Sequence, residues 1–201
     1  EYPEKSPFFF SFVGRYGNRI ESAAFELEGE TFTLPKNNGD NSLHGGNEGF
    51  DKKLWNAEPA MTDSGPSVRF SLVSPDDDQG YPGTLTASVT YTWTNENELI
   101  LDYRAVTDEP TVVNLTNHTY FNLKDGGASP VLDHIVMIRA DGYLPVNQAL
   151  IPYGEIAPVT GSPFDFNKPI SMGARIDMEH EQLEFGGGYD HNFVLANQDG
   201  D

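Results

Sequence analysis

Between Thr84 and Trp93 the chain alternates almost without a fault. Leu85, Ala87, Val89, Tyr91 and Trp93 fall on one side of the backbone, and Thr84, Thr86, Ser88, Thr90 and Thr92 on the other. A period of two marks an extended strand that buries one face. Asn95-Glu96-Asn97-Glu98 follows as a turn and Leu99 to Val106 alternates again, so the two runs predict an antiparallel hairpin. Similar runs lie at Ala24 to Leu27 and Thr31 to Leu34 around Glu28-Gly29-Glu30, and at Val68 to Val73, Thr111 to Leu115 and His134 to Arg139. Only Ile170 to Leu183 hints at a 3.6-residue helical period. The 20 glycines and 14 prolines sit mainly between strand candidates, where turns need them. The expectation is an all-β chain, a large antiparallel β-sandwich with long, functional connections. No repeat or composition shift marks a linker, and 201 residues suit one domain.

Charge narrows the partners. Twelve Lys and Arg against 31 Asp and Glu give a net charge of −19, which repels nucleic acid and anionic membrane surfaces. It also disfavours phosphorylated ligands relative to neutral ones. Cysteine is absent, so disulfides and thiolate metal sites are excluded within these residues. No apolar run of about 18 residues predicts a membrane span, and Glu1-Tyr2-Pro3-Glu4-Lys5 lacks the basic-then-apolar build of a signal peptide. Asp76-Asp77-Asp78 lacks the regular spacing and distal glutamate of a calcium loop and reads as a solvated turn. No metal site is expected. Asn114-Leu115-Thr116 and Asn117-His118-Thr119 fit the glycosylation pattern by chance.

Four segments concentrate chemistry: Gly14-Arg15-Tyr16-Gly17-Asn18-Arg19-Ile20, Asn37 to Gly46 with His44, Asn114 to Leu123 with His118, and Gly187-Gly188-Tyr189-Asp190-His191-Asn192-Phe193. A histidine near neutral pH can give or take a proton. An arginine fork can bind two adjacent hydroxyls, which lysine cannot imitate. Each residue also has an ordinary reading. His118 could be a hydrogen-bonded structural residue, His44 a surface loop histidine, Arg19 an ion-pair partner of Glu21 or Glu26, and Asp190 part of an Asx turn. Arg15 reads as structural, Trp55 as packing for the loop of His44, Tyr120 and Phe121 as core or as an apolar sugar platform, and His191 has no assigned role.

Taken together, in order from Phe8 to Leu195, these segments resemble the aldose 1-epimerase (galactose mutarotase) family. The resemblance implies a mutarotase-like supersandwich and interconversion of the α and β anomers of a neutral aldose such as galactose or glucose, without a cofactor. That reaction takes the proton from the C1 hydroxyl and protonates the ring oxygen, then reverses both transfers after the aldehyde rotates. By resemblance His118 is the general acid, His44 assists it, and Asn18, Arg19 and Asp190 bind sugar hydroxyls. The family's general-base glutamate and a sugar-contacting glutamine fall beyond the fourth segment and have no counterpart here. The resemblance therefore implies that residues 1–201 are the central part of a single domain, catalytically inactive or nearly so alone. A non-catalytic carbohydrate-binding β-sandwich is the competing expectation. The partner is a monosaccharide and the default compartment cytoplasmic, with a secreted or periplasmic location as the alternative and the oligomeric state undetermined.

Overall fold

The computed structural model describes residues 8–196, and the terminal stretch 1–5 considered above lies outside them. The chain divides into two compact units, Glu1–Tyr120 and Phe121–Asp201.

The first unit is built on a four-stranded antiparallel sheet in sequential order: β6 (Asn56–Thr62), β7 (Gly65–Ser74), β8 (Leu85–Trp93) and β9 (Leu99–Thr107). The β8–β9 hairpin is the one predicted, with Val89 opposite Tyr103 and Tyr91 opposite Leu101. Leu72, Leu85, Ala87 and Val89 join Phe12 and Phe50 in one buried cluster, with Phe70, Trp55, Tyr91, Leu101, Tyr103 and Leu115 packed around it. Leu85, Ala87 and Val89 of the apolar half of the β8 alternation therefore leave water, each buried large side chain contributing roughly 1.5–3 kcal/mol, whereas Trp93 at the strand's end is 51% exposed. Strand β6 was not foreseen. All seven of its residues are exposed and it contains Pro59, as suits a sheet edge and as leaves no alternation to detect.

Short ladders wrap this sheet. β3 (Ala24–Leu27) and β4 (Glu30–Thr33) form a tight hairpin with Glu28 and Gly29 both at positive φ, the primed-turn geometry that matches strand twist. β1 (Phe12–Val13) pairs with β10 (Thr116–Asn117), and β2 (Arg19–Ile20) with β5 (Ser42–Leu43). The predicted strand at Thr111–Leu115 is not formed, since ladder pairing begins with Thr116 and Asn114 makes only an isolated bridge to Tyr16.

Arg15 is 2% exposed. Its guanidinium donates to Ser74 Oγ and to the carbonyls of Ser74, Pro75 and Pro82, so a buried cation is satisfied by loop oxygens. Burial lowers its pKa, with Asp78 opposing. Asp78 accepts from Ser74 Oγ at 2.5 Å and pairs with Lys53 at 2.9 Å, its side chain only 10% exposed. The aspartate loop is thus an internal brace, and the solvated-turn expectation fails at Asp78.

In the second unit, β12 (Ala140–Tyr143) pairs with β13 (Ala157–Pro158) and β15 (Phe193–Leu195), while β11 (Ile135–Val136) pairs with β14 (Ile170–Ser171). Tyr143, Val159, Phe164 and Leu183 form its core. The predicted run at His134–Arg139 shrinks to β11. The helical hint at Ile170–Leu183 resolves into β14, a three-residue 3₁₀ turn at Met172–Ala174 and one short helix, α1 (Glu181–Gly186). His180 caps α1 by accepting from Gln182 N–H through Nδ1, and Gly187 ends it at φ 62°. No described helix is long and apolar enough to cross a membrane.

Candidate functional site

The β1–β10 and β2–β5 ladders carry the histidines and the arginine. Beyond β1, the carbonyl of Arg15 accepts from Asn114 N–H and Gly17 N–H donates to Asn114 O, while the Asn114 side-chain amide donates to Gly17 O. These bonds run the chain directly into Asn18 and Arg19. On the other side of β2, Asn37 accepts from Leu43 N–H and donates to Leu43 O, closing the loop that ends at His44.

Asn18 and His44 are joined reciprocally. His44 N–H donates to Asn18 O at 3.1 Å, and Asn18 N–H donates to His44 Nδ1 at 2.9 Å. Because Nδ1 is an acceptor, the ring proton of neutral His44 sits on Nε2, which is thereby a donor. Both residues lie at positive φ, 69° for Asn18 and 52° for His44. Gly45 and Gly46 continue at φ 88° and 97°, and an added Cβ on Gly45 would stand 1.9 Å from Gly14 O. Only glycine lets the histidine loop lie this close to the Gly14 backbone. Gln79 holds the far end of the loop by accepting from Glu48 N–H at 3.1 Å. Trp55 packs on Phe12 and Phe50 and donates to Phe50 O, bracing the loop's base as expected.

His118 stands perpendicular to His44, ring centroids 5.0 Å apart. Asn117 and Thr119 fix the backbone around it: Asn117 Oδ1 accepts from the Thr119 amide and hydroxyl, and Asn117 Nδ2 donates to Tyr91 Oη. Rings orient the imidazole, with Tyr120 at 5.1 Å and Phe8 at 5.8 Å. Tyr120 and Phe121 are 57% and 69% exposed, so neither is a core residue.

The Arg19 guanidinium donates through Nε to Asn38 Oδ1 at 3.0 Å and through Nη1 to Asn18 Oδ1 at 3.3 Å. Asn38 is a positioning residue that the sequence did not single out. Its signal was available as an amide in the turn-rich run before His44. Asp190 belongs to the second unit, exposed after α1. Its neighbour His191 is half-buried against Phe164 at 4.6 Å and donates through Nε2 to Gln182 Oε1, which also accepts from Val146 N–H.

Burial, then the nearby His118 and Arg19, push His44 down from 6.5 to about 4. Between those values the unfolded chain holds more protons than the folded one. His44 is therefore indifferent to pH above about 6.5 and destabilises the fold as pH falls through 6.5 towards 4, by on the order of 3 kcal/mol at the limit. Urea denaturation at pH 7.5 and 4.5 should show this loss, and His44→Gln should remove that share of it.

An antiparallel β scaffold bearing two facing imidazoles beside a braced guanidinium can donate and accept protons while gripping adjacent oxygens. The family model described as Aldose 1-epimerase matches residues 1–200, and the chain belongs to that family. It is 49% identical to the galactose mutarotase of Sus scrofa over 195 residues, covering 97% of this chain and 54% of that protein. It is 42% identical to the aldose 1-epimerase of Escherichia coli strain K12 over 194 residues, covering 96% and 55%. The crystal structure of galactose 1-epimerase from Lactobacillus acidophilus NCFM matches with a TM-score of 0.90 and 35% identity, over 98% of this chain and 58% of that one. The fold is the β-sandwich of these epimerases, and the chain spans about half the length of the curated relatives it matches.

Proposed function

We propose that this chain serves an aldose 1-epimerase acting on a neutral monosaccharide of the galactose or glucose type, as the central part of a single catalytic domain. The observation that supports this most is the perpendicular His44–His118 pair, 5.0 Å apart, next to an arginine oriented by two asparagines. His118 is the general acid that protonates the ring oxygen. His44, neutral and with its Nδ1 occupied by the Asn18 amide, donates from Nε2 to the same oxygen and steadies the charge that develops there. The Arg19 fork and the Asn18 side chain hold ring hydroxyls, a role resemblance also gives Asp190. A carboxylate, the residue type the resemblance assigns, takes the C1 hydroxyl proton.

Polarimetric mutarotation of fresh α-galactose by the complete gene product, with calorimetric galactose binding, tests this proposal. Turnover above the buffer rate supports the epimerase. Binding without turnover supports the carbohydrate-binding module instead, and neither binding nor turnover defeats both.

A further inference from the structure

Phe8 takes no part in the proton transfers, yet its ring touches both imidazoles. It meets His44 edge-on at 4.6 Å and an interplanar angle of 66°, and His118 at 5.8 Å. Phe8 lies outside the sheet's buried cluster, so core packing does not account for its place.

The backbone does account for it. Ser11 closes a turn on Phe8, its N–H and Oγ both donating to Phe8 O at 3.1 and 2.7 Å. The same turn is tied to His118 at both ends of that residue: Phe10 N–H donates to His118 O, and His118 N–H donates to Ser11 O at 2.9 Å. Phe8 and His118 therefore ride on one short ladder. The turn is also strained. Phe10 holds φ 59° at the third turn position, where a type II turn calls for glycine, and Phe8 itself holds φ 63°. Non-glycine residues persist there only when their surroundings over-determine them, and such strain gathers at functional sites.

We propose that Phe8 is a positioning residue for the paired histidines: its ring keeps the two imidazoles perpendicular and shields His44, so that His44 remains a neutral Nε2–H donor beside His118. The titratable and charged groups facing His44 are Arg19 on β2 and His118 just beyond β10, and both resist a charge on it. Desolvation is the largest cause of its lowered pKa, and a phenyl ring in contact is an apolar source of it. Protonating Nδ1 would also set an N–H against the Asn18 N–H that now donates to it.

The role of Phe8 in turnover rests on the epimerase proposal, whereas its hold on His44 does not, so the test reads both. Long-range ¹H–¹⁵N imidazole spectra of the complete gene product, Phe8→Ala and Phe8→Leu are followed from pH 8 to 4.5, with mutarotation kinetics on the same samples. In the parent protein His44 should keep one Nε2–H tautomer down to about pH 5. In Phe8→Ala its titration should move up by about one pH unit and kcat fall about tenfold, with KM within about threefold. Phe8→Leu, which restores apolar cover, should return the titration most of the way, and Phe8→Gln, which keeps a side chain but removes the apolar cover, is measured alongside and carries the test if the alanine variant fails to fold. An unchanged tautomer and titration in Phe8→Ala, or in Phe8→Gln where that variant carries the test, would overturn the proposal, as would a rise in KM with kcat intact. Should the parent protein show no mutarotation, the epimerase proposal fails while the spectra still decide the role of Phe8.

Discussion

His118→Ala lowers kcat for mutarotation by about 100-fold or more and leaves KM within a few-fold, because a general acid acts in the transition state and adds little to ground-state binding. His44 cannot take over. Its Nδ1 is committed to the Asn18 amide, and burial together with His118 and Arg19 keeps it neutral, so it offers a donor hydrogen but no readily transferred proton. The half-buried His118 side chain lies outside the buried cluster, so the variant should fold, and its thermal midpoint serves as the control. Initial polarimetric rates over a range of galactose concentrations separate kcat from KM. A loss below about threefold would remove His118 from the acid role.

Gly45→Ala should destabilise the fold by about 3–4 kcal/mol, a size reserved for changes with a specific structural cause. The new Cβ would lie 1.9 Å from Gly14 O and 2.6 Å from its carbonyl carbon, with φ at +88°. Gly14 has little room to retreat, since its carbonyl accepts from Phe50 N–H and its own Cα faces the Phe50 ring, which a Cβ there would meet at 2.4 Å. Gly29→Ala is the matched control. It has φ +85° but open space around the added carbon, so it should cost only about 1 kcal/mol. Urea denaturation of the two variants separates the collision from the backbone conformation. Equal losses would show that the loop moves aside freely.

The sheet was legible because its signal is local. Strict alternation announced β8 and β9, whereas His44, His118, Asn18 and Arg19 were grouped only by the resemblance of their motifs to the epimerase family, each having an ordinary reading when taken alone. What stayed hidden depends on partners distant in sequence. Nothing in Asp76-Asp77-Asp78 reveals that its last member meets Lys53, and nothing in Gln182 reveals that it pairs with the Val146 backbone. Phe8 and Asn38 escaped for the same reason, since each works through a residue it does not adjoin. Edge strand β6 failed differently, exposed on both faces and so without a pattern. The Thr111–Leu115 run had the composition of a strand, but pairing begins one residue later.

Phe12 faces Asn117 across a ladder two residues long, whereas the sheet is sewn from hairpins between neighbours in the chain. Closing the first seam means gathering the whole intervening segment, so the sheet can exist before the seam does. The order around His118 is thus set by the contact that closes last. The broad sheet holds its own hairpin register, and the backbone of His118 is fastened by this unit's farthest-reaching ladder. Because Phe12 of that ladder also sits in the sheet's buried cluster, mild stress that frays the seam loosens the backbone at His118 and uncovers part of the sheet's core together.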